Sequence, residues 1–346
     1  TPLIMKKCVL VTGGAGYIGS HTTVELIGAG YDVIVVDDLS NSDTSAVSNV
    51  EKITGTQIPF YRFDCNDTDK MRDLFDRHRV DAVIHFAAFK AVGESVEMPL
   101  KYYRNNLGSL TSVLTAMDEK GVPSIVFSSS ATVYGQPDTL PATEQTPLQK
   151  AGSPYGATKQ MSEDIISSVA CAPNAKIKAI ALRYFNPIGA HPSDLIGELP
   201  KGVPNNLVPF ITQTAAGVRE CLSVFGDDYD TPDGSALRDY IDVVDLAKAH
   251  VAAISRLVDG RGKAPFEYFN VGTGKPLSVL ELIHAFEKVN GVKVNHKITG
   301  RRAGDIEKIW ASTELAEKEL GWHAERTIEQ TLASAWAWEK HVRGIK

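Results

Sequence analysis

The sequence contains few cysteines and no long apolar run. Its four cysteines, Cys8, Cys65, Cys171 and Cys221, stand far apart without a CxxC pair. This spacing disfavours a disulfide framework or a zinc site and fits a reducing compartment. No stretch approaches the roughly 20 apolar residues of a membrane-spanning helix, and the apolar segment in TPLIMKKCVLVTGG is too short for a signal peptide. We therefore expect a cytoplasmic protein that binds no membrane.

Blocks of basic residues are also missing. The 346 residues include 36 Lys and Arg against 42 Asp and Glu, which gives a formal net charge of −6. This balance argues against nucleic acid or an anionic membrane as the main partner. The sequence also lacks an HxxxH pair, so we predict no metal site.

Short apolar runs alternate with segments of helical length. CVLVT, VIVVD, FYRFD, AVIHFA, SIVFSSS and IKAIALRYF are predicted to form strands. The alternation predicts an α/β protein with a Rossmann-type, doubly wound parallel sheet and a smaller C-terminal α/β substrate lobe. We expect a dinucleotide-binding domain over residues 1–186, with returning segments near 237–275, and a substrate lobe over residues 187–346.

A glycine-rich loop, VTGGAGYIG, follows the first strand. Gly13, Gly16 and Gly19 have the spacing that lets backbone amides approach a pyrophosphate at a helix N-terminus. Asp37 ends the second strand, where a carboxylate accepts hydrogen bonds from both ribose hydroxyls and repels a 2′-phosphate. No GK[ST] follows the glycines, which excludes a nucleotide-triphosphate loop. The pattern predicts NAD as the cofactor, in preference to NADP.

A possible catalytic group follows the fifth strand. Tyr155 and Lys159 are four residues apart, so on a helix they share one face, about 5 to 6 Å apart at Cβ. A nearby cation and an oxidised nicotinamide both favour the phenolate, which would make Tyr155 a usable base at neutral pH. Ser130 stands at the carboxyl end of a predicted strand, where ligands bind in open α/β sheets. By itself a YxxxK pair is more often a surface contact; the glycine loop and the serine make it significant.

Nine motifs follow one another along the chain: TGGAGYIGSHT, HFAAFKAVGESV, SSSATVYG, PYGATK, LRYFNPIGAHPS, VPNNLVPF, RDYIDVVDLA, NVGTG and RRAGD. Together they resemble the UDP-glucose 4-epimerases of the extended short-chain dehydrogenase/reductase family, over essentially the whole chain. The resemblance implies reversible interconversion of UDP-galactose and UDP-glucose, by NAD-mediated oxidation and reduction at sugar C4 through a 4-keto intermediate. In this scheme Tyr155 is the base and acid, Lys159 binds the nicotinamide ribose and lowers the Tyr155 pKa, and Ser130 orients the hydroxyl.

The resemblance also assigns binding residues by matching positions. The cofactor contacts it implies are Gly13, Gly16, Tyr17, Ile18, Gly19, Asp37, Asp38, Asn41, Asp64, Cys65, Phe86, Ala87, Lys90, Asn106, Ser128, Tyr155, Lys159 and Tyr184. The substrate contacts it implies are Lys90, Ser130, Thr132, Tyr155, Phe185, Asn186, Asn206, Leu207, Val224, Phe225, Arg238, Tyr240, Arg302, Asp305 and Ile309. Helices around residues 99–120 and 154–171 carry apolar stripes, and in the family such helices pair into a four-helix bundle. We therefore expect a homodimer.

The sequence is also compatible with other functions. Related 4,6-dehydratases need an Asp-Glu pair after the serine, where this chain has Ala131 and Thr132; elimination would lack its acid and base. Another nucleotide sugar could be the substrate, and Ile309, where the family carries a tyrosine or a smaller residue, leaves activity on UDP-N-acetylhexosamines open. A regulator that binds NAD without catalysis is a further possibility, although it would not need the complete Ser130, Tyr155 and Lys159 set.

Overall fold

The computed structural model describes residues 6–302 and 305–346. Its strands are, in chain order, β1 (Cys8–Thr12), β2 (Asp32–Val36), β3 (Phe60–Tyr61), β4 (Ala82–His85), β5 (Ser124–Ser130), β6 (Lys178–Tyr184), β7 (Asn186–Ile188), β8 (Leu222–Phe225), β9 (Leu237–Arg238), β10 (Tyr240–Asp242), β11 (Phe266–Val271), β12 (Leu277–Ser278), β13 (His296–Thr299) and β14 (Lys308–Ile309). Its helices are α1 (Tyr17–Gly28), α2 (Thr44–Thr54), α3 (Thr68–Arg77), α4 (Val92–Glu97), α5 (Pro99–Tyr102), α6 (Gly108–Lys120), α7 (Pro154–Ala170), α8 (Leu207–Ala215), α9 (Val243–Val258), α10 (Val279–Asn290), α11 (Glu314–Leu320) and α12 (Ile328–Arg343). A π-helical turn joins α5 to α6, and a 3-10 turn follows β5.

Seven strands form one large sheet in the order β11-β6-β5-β4-β1-β2-β3. Every neighbouring pair in this sheet is parallel. The order runs outward from β1 in both directions, which is the doubly wound arrangement. The predicted Rossmann-type parallel sheet is therefore confirmed.

Both faces of the large sheet are buried. Val9 and Val11 of β1 pack into the apolar cluster on one face, whereas Leu10 packs into the cluster on the other. Successive side chains of a strand point to opposite faces, so a strand covered by helices on both sides is apolar throughout. This requirement explains the continuous apolar runs that identified the strands in the sequence.

The beginning of α7 is fixed by its sequence. The Ser153 hydroxyl accepts a hydrogen bond from the Gly156 amide at 3.1 Å, and Pro154 occupies the first turn. A serine cap followed by proline is a strong helix start. The serine hydroxyl accepts from an amide that has no helical partner, and proline has no amide hydrogen that would need one. The helix therefore begins one residue before Tyr155, which places this residue in the first turn.

The remaining strands form three small sheets after residue 185. β7 pairs with β10, β8 pairs with β13, and β9 lies between β12 and β14. Leu222, Phe286 and Leu332 belong to the apolar cluster of this part of the chain. β11 lies within this part of the chain and nevertheless forms the edge of the large sheet, beside β6. The domain boundary near residue 186 stays a prediction.

Within the described residues, no helix has the length and apolar content that crossing a membrane requires. The same residues contain no group of three or more His, Cys, Asp or Glu side chains arranged to hold a metal ion.

Candidate active site

Most of the predicted cofactor and catalytic residues lie at the carboxyl edge of the large sheet. Asp37 directly follows β2, Phe86 directly follows β4, and Ser130 and Tyr184 are the last residues of β5 and β6. Because the strands are parallel, their carboxyl ends meet at this one edge. The arrangement brings residues that are far apart in the chain to one cleft.

The glycine loop fits tightly between β1 and α1. The Gly13 amide donates to the Val36 carbonyl at 2.7 Å, and Gly13 has φ of 69°, a conformation that glycine adopts without strain. A Cβ atom at Gly19 would lie 2.3 Å from the Gly13 carbonyl oxygen. Gly16 is the N-cap of α1, and no side chain among the described residues caps this helix. The first amides of α1 therefore remain open for an anion.

Asp37 is held rigidly against the glycine loop. One of its oxygens accepts from the Ala15 amide at 3.1 Å, and the other accepts from the Leu39 amide at 2.9 Å and from the Ser42 hydroxyl at 2.7 Å. The carboxylate thus supports the loop in addition to its predicted contact with ribose. Asp38 is exposed next to it, and its oxygen accepts from the Ser40 amide at 2.8 Å.

Three of the predicted cofactor contacts follow β2 and β3. Asn41 and Asp64 are exposed, and the Asp64 carboxylate accepts from the Asn66 amide at 2.9 Å. Cys65 is buried, and this burial raises the pKa of its thiol. A buried neutral thiol is a packing group, so Cys65 would contribute packing and no charge to the predicted cofactor site.

A further group of predicted contacts lies around the loop after β4. A Cβ atom at Gly13 would lie 2.9 Å from the Ala87 amide, so this loop and the glycine loop are in close contact. Asn106 is buried and bonds both the Phe89 amide, at 2.9 Å, and the Phe89 carbonyl, at 3.0 Å. The Lys90 ammonium lies 5.9 Å from the centre of the Tyr17 ring. Ile18 is half-buried in the first turn of α1.

Tyr155 and Lys159 lie on α7, beside the end of β5. Lys159 is buried, and its ammonium donates to the Ser128 carbonyl at 2.6 Å. This burial lowers the pKa of Lys159 to about 8, against a smaller opposing effect of Glu163. The Ser128 hydroxyl in turn bonds the Tyr184 hydroxyl. Three predicted cofactor residues are thus linked in one hydrogen-bonded group.

The Tyr155 phenol is not acidic in the polypeptide alone. Burial raises the pKa of this phenol to about 12, and only its hydrogen bond with Ser130 acts in the other direction. The Lys159 ammonium lies 5.7 Å from the centre of the Tyr155 ring and is directed at the carbonyl of Ser128. The loss of hydration therefore outweighs the effect of the neighbouring cation. A usable base requires additional positive charge beside the phenol.

Predicted substrate residues also meet near β8, β9 and the segment between β13 and β14. The Asp305 carboxylate bonds the Arg302 guanidinium at 3.0 Å and the Arg238 guanidinium at 3.5 Å. Arg302 also lies 5.5 Å from the centre of the half-exposed Phe225 ring. Burial lowers the pKa of Arg238. Two guanidinium groups beside an exposed aromatic ring suit a diphosphate and a flat base. Ala303 and Gly304 of the RRAGD motif, and the N-terminal TPLIM, lie outside the described residues.

The other predicted substrate residues differ in exposure. Those buried are Phe185, Val224, Tyr240 and Ile309, and those at least partly exposed are Thr132, Asn186, Asn206 and Leu207. Burial raises the pKa of the Tyr240 phenol, so it remains protonated.

One charged residue of this cleft was missed in the sequence. Glu198 accepts a hydrogen bond from the Asn206 side chain at 2.5 Å, and its carboxylate lies 3.7 Å from the Lys90 ammonium. It therefore connects two residues predicted to bind ligands. Glu198 stands in the loop GELPKG, which has no periodic pattern, and no sequence signal identifies the residue.

Together, the fold and the site define an NAD(P)-dependent enzyme of the short-chain dehydrogenase/reductase type. The sequence model of the family described as GDP-mannose 4,6 dehydratase matches residues 10–335. The chain is 51% identical to UDP-glucose 4-epimerase of Bacillus subtilis (strain 168) over 339 residues, 98% of each chain. It is 49% identical to UDP-glucose 4-epimerase of Drosophila melanogaster over 337 residues, 96% of each. The chain therefore belongs to this family, and within it to the UDP-glucose 4-epimerases.

Solved structures agree with this assignment. The crystal structure of UDP-glucose 4-epimerase from Bifidobacterium longum in complex with NAD+ and UDP is 48% identical, with a TM-score of 0.93, and the match covers 98% of this chain and all of that one. The enzyme from Stenotrophomonas maltophila, with bound NAD and formylated UDP-arabinopyranose, is 47% identical, with a TM-score of 0.95 and the same coverage. The resemblance stated from the motifs is thereby confirmed.

Proposed function

We propose that this chain catalyses the reversible interconversion of UDP-galactose and UDP-glucose with a retained NAD, and so acts in galactose metabolism. The observation that carries the proposal is the meeting of Ser130, Tyr155 and Lys159 at the carboxyl edge of the sheet, in a chain about half identical to UDP-glucose 4-epimerases. A hydroxyl pair and a cation beside a dinucleotide cleft are suited to oxidising and reducing an alcohol.

The residues of the cleft fit NAD. The open amides of α1 and the close-packed Gly13 and Gly19 suit a pyrophosphate. The buried carboxylate of Asp37 can bind a ribose diol and disfavours a 2′-phosphate. When bound, NAD supplies an acceptor that takes the C4 hydrogen and returns it, and its oxidised ring adds positive charge near Tyr155.

The protein's own residues move the proton. Tyr155 takes it from the sugar 4-hydroxyl as the 4-keto sugar forms, and returns it after the sugar has turned its other face. Ser130, whose hydroxyl lowers the Tyr155 pKa, orients the hydroxyl and carries part of the oxygen's charge. Lys159 remains protonated in the neutral range, because its pKa of about 8 lies above it, and provides a fixed positive charge.

The second lobe would hold the UDP group. Arg238 and Arg302 can bind phosphate oxygens, with Asp305 aligning both guanidinium groups. Phe225, with 41% of its surface exposed, offers a flat face to uracil. The turn after the serine differs from that of a dehydratase: Ala131 and Thr132 supply neither an acid nor a base, so the ketone can only be reduced again.

The sugar specificity would depend on Ile309. This side chain is buried, 4% exposed, in the cluster that contains Ala131 and Phe185. Isoleucine is smaller than tyrosine, and we propose that it also admits UDP-N-acetylhexosamines. The Ile309→Tyr variant tests this: it should retain activity on UDP-galactose and lose most activity on UDP-N-acetylglucosamine. Equal losses on both sugars would refute the assignment.

We further propose a homodimer in the cytoplasm. Apolar side chains are exposed along adjoining helices: Leu100 of α5 is 81% exposed and Met161 of α7 is 42% exposed. A second copy would cover this surface by forming a four-helix bundle. Light scattering should give a dimer for the wild type and a monomer for Leu100→Asp, whereas Leu199→Asp, at an exposed loop position, should remain dimeric. The unpaired cysteines suit a reducing compartment.

The test of the activity is direct. The purified protein is incubated with UDP-galactose without added cofactor, and the nucleotide sugars are separated. We expect UDP-glucose to form, and NAD to be released when the protein is denatured. If neither UDP-glucose nor any released nucleotide is detected, the proposal is wrong.

A further inference from the structure

Glu163 is a buried acid that the mechanism above does not use. It lies on α7, one turn after Lys159 and two turns after Tyr155, so the three side chains share one face of the helix. Its carboxylate accepts from both nitrogens of an arginine fork: Nε of Arg183 at 2.9 Å and Nη2 at 2.5 Å. It also accepts from the Ser129 hydroxyl at 2.6 Å. Both side chains of the ion pair are less than a tenth exposed.

The partners of Glu163 surround the catalytic strand end. Ser129 lies between Ser128, whose carbonyl accepts from Lys159, and Ser130, whose hydroxyl lowers the Tyr155 pKa. Arg183 is the neighbour of Ser129 across the β5–β6 pair. The Glu163 carboxylate therefore joins α7, β5 and β6 at Ser129, the residue next to Ser130.

We propose that Glu163 is a positioning residue for the epimerisation: it fixes Ser130 of β5 against Tyr155 of α7 and balances the charge of the Lys159 ammonium. The inference rests on the proposed function, because positioning has meaning only for a reaction at Ser130 and Tyr155. Displacement by about 1 Å can cost about 100-fold in rate, so a rigid link of this kind is important. A buried charge without its partner is also costly, which explains why Arg183 and Glu163 are paired.

Among the described residues, few titratable or charged side chains surround Lys159. Glu163 and Tyr155 face it from α7, His85 from the end of β4, and Arg183 and Tyr184 belong to β6. His85 is neutral above acidic pH, because burial lowers its pKa to about 3. The two tyrosines are protonated in the neutral range, because burial raises the pKa of each. Glu163 is thus the negative charge that favours protonated Lys159, and it raises the pKa of that group.

The test compares Glu163→Gln with Glu267→Gln. Glu267 also forms a buried pair with an arginine, Arg256, at 2.8 Å. It lies four residues before the carboxyl end of β11, away from the cleft. Both variants should lose thermal stability. Only Glu163→Gln should lose about 10- to 100-fold in kcat with little change in KM, and the alkaline decline of its kcat should move to lower pH. Equal kcat values in the two variants, or an alkaline decline that stays in place, would overturn the proposal.

Two further measurements test the positioning effect and the charge effect of Glu163 separately. Ser129→Ala preserves the ion pair and removes only its link to the strand, so it tests the positioning if Glu163→Gln does not fold; we expect about a fivefold loss in kcat, and wild-type kcat would contradict it. The charge effect is measured without turnover by NMR titration of [ε-13C]lysine, with Lys159→Met identifying the resonance. The Lys159 midpoint should fall in Glu163→Gln and stay unchanged in Glu267→Gln. If the wild type does not convert UDP-galactose, the proposed function fails, whereas an unchanged midpoint contradicts the role of Glu163 alone.

Discussion

The Lys159 ammonium is bound to the Ser128 carbonyl at 2.6 Å, and therefore to the strand that carries Ser130. A lysine in this position fixes the helix of Tyr155 against β5 and holds a positive charge in the cleft at the same time. The polypeptide alone leaves the Tyr155 pKa at about 12. We therefore expect the phenol to become a base only when further positive charge is present in the site.

Tyr155→Phe should retain the fold and the bound NAD and lose about 10³- to 10⁵-fold in kcat, because only the proton acceptor is removed. Turnover of UDP-galactose and the NAD content after denaturation are measured together. Tyr268→Phe, on β11 and partly exposed, is the control and should behave as the wild type. Activity of Tyr155→Phe near that of the control would falsify the role of the phenol.

Lys159→Met should abolish activity and yet stabilise the polypeptide at neutral pH by up to about 3 kcal/mol. The folded state lowers the pKa of Lys159 from 10.5 to about 8, so the protonated form is penalised below pH 8, and the penalty disappears as pH rises from 8 to 10.5. The difference in unfolding free energy between the variant and the wild type should therefore shrink across this window. A difference that stays constant from pH 7 to 10.5 would contradict the burial effect.

Gly19→Ala should weaken NAD binding and cost about 1–3 kcal/mol of stability, because its Cβ would lie 2.3 Å from the Gly13 carbonyl. Gly28→Ala is the matched control on the same helix. Nothing lies within 4 Å of a Cβ at Gly28, so this change should stabilise the protein by about 0.5–1 kcal/mol. Chemical denaturation and NAD content measure both effects; similar results for the two variants would show that the loop is not tightly packed.

Asp37→Asn should weaken NAD and reduce its discrimination against NADP by about tenfold, because a neutral amide no longer repels a 2′-phosphate. Some stability should also be lost, since Asp37 accepts from Ala15 and Ser42. Asp38→Asn removes a charge from the exposed neighbouring position and should change the preference less. Affinities of the two dinucleotides for the cofactor-depleted protein give the ratio. An Asp37→Asn ratio equal to that of the wild type would argue against the ribose contact.

Arg302→Ala should raise KM for UDP-galactose by about 10- to 100-fold and leave kcat nearly unchanged, because a phosphate contact is kept throughout the reaction. Arg301 is the adjacent control, because its guanidinium donates to the Asp228 carboxylate at 2.6 Å. Arg301→Ala should therefore keep KM within about twofold of the wild type. Steady-state kinetics of the two variants decide between these roles, and equal effects on KM would reject the assignment of Arg302.

The sequence predicted the large sheet because buried parallel strands are apolar throughout, as in Val9 to Val11. The small strands β9, β12 and β14 have two residues each, too few for any periodic pattern to appear. The pairing of Ile309 with Arg238 in the parallel β9–β14 pair could therefore be seen only in the structure.

The catalytic residues were predictable because Tyr155 and Lys159 follow one another at helical spacing. The surroundings that set the pKa values of these two side chains were not predictable from the sequence. The direction of the Lys159 side chain and the loss of hydration at Tyr155 depend on β5 packing against α7, a contact between distant parts of the chain. Glu163 shares the helical spacing, but its partner Arg183 is 20 residues away on another strand. No local pattern connects these two residues.

The most direct test of the account follows the hydrogen at sugar C4. UDP-galactose that carries deuterium at C4 is incubated with the purified protein in ordinary water, and the UDP-glucose formed is analysed by NMR. Transfer to a cofactor and back within one turnover predicts that the deuterium remains at C4 of the product. Loss of the deuterium to water would mean that the carbon is deprotonated by a base, and would contradict the central claim.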